Sequence, residues 1–375
     1  MSMQQLPLGF CERAIFALRS LYNRHGYTQY KMSKFEEYDL YARNKDFLIS
    51  DSVITFTDVG GKLMALKPDV TLSIVKNTKD VPGAVQKLYY NENVYRVAKG
   101  SYSFKEIMQV GLECLGDIDD YCVCEVLQLA AESLRSVSED SILDISHLGL
   151  LSDLTDAIGI PAGSKADVLR CIGEKNQHEL TALCSSLGVS DEHIGVLCRL
   201  VSMTGAPGKV LPEIQKLLSG ITDSSALDQL IRITKVLEGT EIGQMLRIDF
   251  SVVDDIHYYN GIVFKGFIAG IPESVLSGGQ YDKLMRKLQR KAGAIGFAVY
   301  TDLLERLEQT SQQYDVDAVL LYEAGESLTA IQEQVRLWTQ KGSSILAQPK
   351  KPENIRYRQL LRLKDGEVEI VEDNA

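Results

Sequence analysis

The 375-residue sequence contains no apolar run near the roughly 18 residues that a membrane-crossing helix needs, so a helical membrane span is not expected. Basic residues are in deficit, with 40 Lys and Arg against 51 Asp and Glu and a net charge of −11. Nucleic-acid binding over the whole surface would need the reverse balance, because phosphate neutralisation supplies much of that affinity. Paired cysteine spacing is also missing. The seven cysteines (Cys11, Cys114, Cys122, Cys124, Cys171, Cys184 and Cys198) are odd in number, scattered, and form no CxxC motif. Reduced core thiols are expected, with neither a disulfide framework nor a zinc site. The nearest pair, Cys122 and Cys124, would face different ways on a helix. The opening segment MSMQQLPLGFCERAIFALRS has no basic stretch followed by a pure apolar one, since Glu12 and Arg13 interrupt it. A cytoplasmic location is therefore expected.

What the chain does have is the balance of a soluble globular protein, 45% hydrophobic and 24% charged, at a length that exceeds one comfortable core. Two or three domains are expected. Two local basic clusters stand against the acidic background. One is Arg286, Lys287, Arg290 and Lys291; the other is Lys350, Lys351, Arg356, Arg358, Arg362 and Lys364. Clusters of this size usually read as solvated faces.

Taken in order, apolar residues at helical spacing predict a helix from Leu8 to Arg24, ended near Gly26, followed by a short strand TQYKM. Residues 52–66, SVITFTDVGGKLMAL, alternate on both sides of Gly60-Gly61 and predict a hairpin. Pro68-Asp69-Val70-Thr71 opens a helix, where the Asp69 and Thr71 oxygens either cap the backbone or face a ligand. Strands are expected at Lys87–Arg96 and Ile107–Leu115, joined by the loop VAKGSYSFKE, then a helix at Val123–Leu134 and a short run at Ile142–Leu148. Residues 150–240 read as a helical insertion, with turn signals at Pro161, Gly188 and Gly205-Ala206-Pro207-Gly208, and the sheet pattern resumes at Met245. Ser277-Gly278-Gly279-Gln280-Tyr281-Asp282 is either a place where backbone approaches a ligand or simply a turn, leading into a basic helix at 283–291. A strand at Gly293–Val299, a helix at 301–309 and a polar linker SQQYD follow. The last part, 315–375, reads as a small strand-helix-strand unit with a short tail.

The stretch Ile248–Phe267, IDFSVVDDIHYYNGIVFKGF, reads as two strands of a hairpin turning at Tyr258-Tyr259-Asn260-Gly261. Its two phenols either cap a core sheet or line a pocket for a small polar cation.

Two segments here, Asp255-Ile256-His257-Tyr258-Tyr259-Asn260 through Val263-Phe264 and Gly278-Gly279-Gln280-Tyr281-Asp282, resemble signatures of histidyl-tRNA synthetase, a class II aminoacyl-tRNA synthetase. Gln109-Val110-Gly111-Leu112-Glu113 is similar to that family's histidine-contacting strand, and Lys67-Pro68-Asp69-Val70-Thr71 to its Arg-Pro-Glu-Gly-Thr. The resemblance covers about residues 5–310. It implies an α+β fold: a class II aminoacyl-tRNA synthetase-like antiparallel sheet flanked by helices in residues 1–310, with the helical insertion at about 150–240 and the small C-terminal α/β segment at 315–375.

The departures are as telling. Arg96 matches the motif-2 arginine, but Ala98 stands at the glutamate that follows it, Leu303 at the motif-3 arginine, Asp254 at the histidine-specific arginine, and Ser33 at the motif-1 proline. Adenylate formation needs fixed cations around the phosphates, and removing even one electrostatic stabiliser typically costs ~10²–10³ in rate. A silent chain of this pattern is similar to the regulatory subunits of ATP phosphoribosyltransferase. The resemblance implies a homodimer within a hetero-oligomer, a short-form catalytic subunit as partner and histidine as effector. It implies no catalytic residues, no metal and no cofactor, and tRNA is not an expected partner. Residue by residue, it assigns Asp69, Thr71 and Gln109 to the ligand's α-amino group, Glu113 and Tyr258 to its imidazole nitrogens, Tyr259 to the pocket wall, and Arg96 or Gln109 to its carboxylate. The alternatives are a divergent histidine-activating ligase and an RNA-binding synthetase-like module.

Overall fold

The first helix, Phe10–Arg24, buries Ala14, Leu18, Leu21 and Tyr22 along one side, the helical repeat read from the sequence. It ends where Gly26 takes φ +81° and the Tyr27 N–H returns to the Tyr22 carbonyl at 3.1 Å. The computed structural model describes residues 8–45, 48, 53–81, 83–97, 103–222, 224–253, 258–308, 314–364 and 366–374. These fall into two compact units, Cys11–Leu304 and a second made of Met1–Phe10 with Glu305–Ala375.

A nine-stranded sheet organises the larger unit. Its order is Thr28–Gln29, Val85–Val97, Phe104–Gly116, Gly293–Tyr300, Leu276–Gln280, Ile262–Ile268, Ser141–His147, Leu246–Asp249 and Thr204–Gly205. The six strands from Val85–Val97 to Ser141–His147 run antiparallel, each to the next. Parallel pairing occurs only toward the flanks, where Thr28–Gln29 joins Val85–Val97 and Leu246–Asp249 joins Ser141–His147. Helix Asp120–Arg135 packs on one face, and Tyr22 of the first helix meets it through a 3.0 Å bond between the Tyr22 and Ser133 hydroxyls. The Tyr22 ring also stands edge-on to Phe297 of the sheet.

The hairpin expected at 248–267 does not form. Strands Leu246–Asp249 and Ile262–Ile268 both pair with Ser141–His147, which lies between them, so the Tyr258–Gly261 segment enters the central sheet rather than turning a hairpin. Gly261 serves close packing instead, because a Cβ there would overlap the Gln280 side chain, whose Oε1 accepts the Ile262 N–H at 2.9 Å. The Ser277–Gln280 stretch is likewise a central strand, not a turn, and the helix after it is shorter than expected, Asp282–Lys287.

Between strands Ser141–His147 and Leu246–Asp249 the described residues form six α-helices: Leu148–Ala157, Lys165–Gly173, Gln177–Ser186, Asp191–Ser202, Pro207–Leu218 and Ser225–Glu238. The two-residue strand Thr204–Gly205 interrupts them and extends the sheet. A separate three-stranded sheet joins Phe35–Glu37, Leu63–Leu66 and Thr55–Thr57. Its Gly60-Gly61 hairpin forms as expected, with the Asp58 carboxylate accepting the Gly60 and Lys62 N–H groups at 2.8 Å each.

The smaller unit holds a four-stranded sheet, in the order Ile345–Gln348, Val316–Tyr322, Tyr357–Lys364 and Glu367–Asp373. Ala318, Leu320, Leu361 and Leu363 pack beneath Ala330, Ile331 and Trp338 of helix Leu328–Gln340. The tail thus carries a hairpin that the sequence reading did not resolve. Three of its basic residues are tied to acids: Arg356 to Asp315 (2.8 Å), Lys351 to Glu372 (2.7 Å) and Arg362 to Glu369 (3.2 Å). Arg290 of the other basic cluster is mostly buried, held by Asp80 at 2.6 Å, so that cluster is not simply a solvated face.

Candidate functional site

Side chains alternate across a strand with period two. In Phe104–Gly116 this sends Val110, Leu112 and Cys114, all fully buried, into the helix-covered core, and turns Gln109, Gly111 and Glu113 to the opposite face. That face is the floor of a cavity of ≈ 320 Å³. Two glycines keep the floor open. A Cβ at Gly111 would overlap the Tyr90 hydroxyl and the Phe297 carbonyl, and one at Gly296 would overlap Glu113 Oε2. Both side chains can lie across the sheet only because the neighbouring backbone carries nothing there.

The helix Thr71–Asn77 closes one side. Asp69, just before it, accepts the Leu72 N–H at 2.8 Å and also lines the cavity. The Thr71 hydroxyl donates to Glu113 Oε1 at 2.6 Å, and the Tyr281 hydroxyl donates to Glu113 Oε2. Both carboxylate oxygens of Glu113 are thus fixed from two separate elements. Arg96 Nε donates to the Pro68 carbonyl at 3.1 Å, which holds the guanidinium beside Asp69.

Burial governs the electrostatics. It pushes the Glu113 carboxyl up to about 8, a shift that the Thr71 and Tyr281 hydrogen bonds oppose and the nearby Asp69 reinforces. Asp69 is also raised by burial, against the lowering effect of the Leu72 N–H and Arg96. The phenols of Tyr90, Tyr258 and Tyr281 are raised well above their usual value by burial and so stay neutral. Behind the site, the ammonium of fully buried Lys67 is lowered by burial while its pairing with Glu92 opposes that shift.

All seven residues singled out in the sequence, Asp69, Thr71, Arg96, Gln109, Glu113, Tyr258 and Tyr259, line this one cavity. Ala98 and the segment Asp254–His257, including the Asp254 substitution, lie outside the described residues. The sequence reading missed Tyr90, Lys265, Ser274, Ser277, Tyr281 and Tyr300, which also line it. Tyr281 sat inside a quoted motif. Lys265 was visible as a lone charge within the apolar run IVFKGFI. Tyr90 faces Gly111 across the strand pair, a relation that only the register reveals.

The cavity lining therefore combines two buried carboxyls and several phenols with Arg96, Lys265 and hydroxyls. Such an arrangement suits a small molecule carrying both a cationic or ring-nitrogen group and an anionic one. Among the described residues that line it there is no cysteine or histidine.

The family model described as histidyl-tRNA synthetase matches residues 10–304. A curated relative, the ATP phosphoribosyltransferase regulatory subunit of Oceanobacillus iheyensis, is 25% identical over 304 residues, spanning 80% of this chain and 74% of that protein. A solved structure from Bacillus halodurans, described as an ATP phosphoribosyltransferase regulatory subunit/histidyl-tRNA synthetase, superposes with a TM-score of 0.75 at 23% identity, covering 96% of this chain and 98% of that one. A chain of the ATP phosphoribosyl transferase complex of Thermotoga maritima superposes with a TM-score of 0.61 at 20% identity, covering 77% and 96%. At these identities the two structures speak for the fold.

Proposed function

The chain belongs to the histidyl-tRNA synthetase family, and on that footing we propose that it is the non-catalytic regulatory subunit of ATP phosphoribosyltransferase, which performs the first step of histidine biosynthesis. One observation carries this reading. The cavity keeps its ligand-facing carboxyls and phenols, while the helix Thr301–Glu308 presents Leu303 where the resemblance puts a phosphate-binding arginine. A site that selects an amino acid but lacks that cation is suited to reporting the ligand, not to activating it.

The partner is a short-form catalytic subunit, and the effector is histidine. In the cavity, Glu113 and Tyr258 meet the imidazole ring, with Tyr259 alongside. Asp69, Thr71 and Gln109 meet the α-amino group, and Arg96 the carboxylate. Their common lining of one cavity supports this assignment. The regulatory effect requires that histidine bind two states of the assembly unequally.

The chain forms a homodimer within the hetero-oligomer. Exposed Phe35, Phe56 and Leu63 on the three-stranded sheet support that reading, the two phenyl rings standing edge-to-face at 5.3 Å. Among the described residues all seven cysteines are free thiols, which suits a reducing, cytoplasmic setting, and no helix is long and apolar enough to cross a membrane.

The test is reconstitution. Purified chain added to the short-form catalytic subunit of the same organism raises the rate of phosphoribosyl-ATP formation, and histidine lowers it again. An unchanged rate on addition would sink the reading. Histidine-dependent exchange of pyrophosphate into ATP, the mark of a working ligase, is expected to be absent.

A further inference from the structure

Glu113 is almost completely buried, yet it accepts hydrogen bonds from neutral hydroxyls, those of Thr71 and Tyr281. The charged or titratable groups that face it are Asp69 before helix Thr71–Asn77, Tyr90 from strand Val85–Val97, Tyr258, and Tyr281 after strand Leu276–Gln280. One of these is a second buried carboxyl and the others are phenols. Strand Gly293–Tyr300 contributes only the bare backbone of Gly296 at this point. Arg96 is directed to Asp69 and the Pro68 carbonyl. Among the described residues that face this carboxyl none is a cation, and burying an uncompensated charge is more costly than keeping the group neutral.

We propose that Glu113 holds a proton before the ligand arrives and passes it to the ligand's ring, so that the bound pair is a carboxylate and an imidazolium formed inside the cavity. This rests on the histidine reading of the site and deepens it. The O–H bond of the Glu113 carboxyl breaks, an N–H bond forms at the ring nitrogen that carries the lone pair, and no proton is exchanged with solvent. The ligand class follows from the step: a small amino acid whose side-chain ring offers both a basic nitrogen and an N–H. A ring without a basic nitrogen leaves the proton on Glu113 and forgoes the ion pair.

The step fixes a pH profile. Glu113 releases its proton to solvent near 8, and a free imidazole ring takes one up near about 6.5. Between these values binding exchanges no proton and affinity is level. Below about 6.5 the ligand arrives already charged, the Glu113 proton is expelled, and affinity falls as pH falls, approaching tenfold per unit. Above 8 a proton must be taken up, and affinity falls as pH rises.

Calorimetric titration of the full chain with L-histidine, in buffers of different ionisation enthalpy from pH 5.5 to 8.5, counts the protons exchanged with solvent. Proton release at the acid end, none in the middle and uptake at the alkaline end are expected. An ordinary, ionised carboxylate would instead give uptake through the whole range above about 6.5, and that result would overturn the proposal while leaving the histidine site intact. The infrared carbonyl stretch of a protonated carboxyl, lost in Glu113→Gln, reports the stored proton without any ligand; its disappearance when histidine saturates the chain reports the transfer, and its persistence in the complex would overturn that step. If histidine fails to bind at any pH, the reading of the pocket falls. The infrared band then still decides whether Glu113 is protonated, and its absence at neutral pH would overturn the proposal by itself.

Discussion

Glu113 lies across the bare backbone of Gly296, so close that a single added methyl group would occupy the position of its Oε2. The two residues face each other directly in the register of strands Phe104–Gly116 and Gly293–Tyr300. The orientation of the carboxyl therefore depends on a residue that contributes no side chain.

Gly296→Ala should displace Glu113 from its Thr71 and Tyr281 donors. Overpacking of this kind costs about 1–3 kcal/mol, which urea denaturation would record. Histidine affinity should drop roughly tenfold to a hundredfold, the scale of one lost charged hydrogen bond. Unchanged affinity in a folded variant would show that Glu113 does not touch the ligand.

The raised proton affinity of Glu113 also has a cost in stability, with a definite sign. The folded carboxyl titrates near 8 against an ordinary 4.5. Below the ordinary value both folded and unfolded chains are protonated and the stability is fully present. As pH rises toward 8 only the unfolded chain gains by ionising, so stability is lost, at on the order of 1 kcal/mol per pH unit. Glu113→Gln should remove that slope. The gap in urea midpoint between variant and parent should widen in the variant's favour from pH 5 to pH 7.5.

Arg290 binds helix Thr71–Asn77 at its far end, donating to the Val75 and Thr78 carbonyls at 2.8 and 2.6 Å while pairing with Asp80. It adds donors to carbonyls at the helix C-terminus, where backbone partners run out. Arg290→Ala should cost about 1.5–3 kcal/mol, the range for hydrogen bonds to a charged group, visible as a lowered denaturation midpoint. Because Thr71 opens the same helix, histidine binding should weaken as well, and Arg290→Lys should restore only part of the loss.

Phe56→Glu places a charge on the exposed aromatic pair of the three-stranded sheet. If that sheet joins two copies of the chain, the variant should elute as a folded monomer in light-scattering chromatography. A dimer of unchanged mass would move the interface elsewhere.

The local patterns were legible where one face of an element meets a core. The alternation in Phe104–Gly116, the spacing in Phe10–Arg24 and the Gly60-Gly61 hairpin all follow from neighbours in sequence. What the sequence hid depends on distant partners. The hairpin expected at 248–267 failed because strand Ser141–His147 takes the place between its two halves. Arg290 looked like part of a solvated cluster because Asp80 is far away along the chain. Tyr281 was noticed as a motif letter, but its bond to Glu113 is a fact of sheet order.

That interposed strand bears on how the protein is made. His147 pairs with Ile262 from opposite sides of the helical segment, and Leu143 with Leu246, so the middle of the sheet cannot close until the ribosome has passed both. Loop-closure entropy must be met before these distant pairings return any free energy, which favours early collapse of the long Val85–Gly116 hairpin and late arrival of the central strands. The cavity, lined from both, is complete only once the later strands have joined the sheet. A chain interrupted before residue 262 would have its carboxyls but no pocket to put them in.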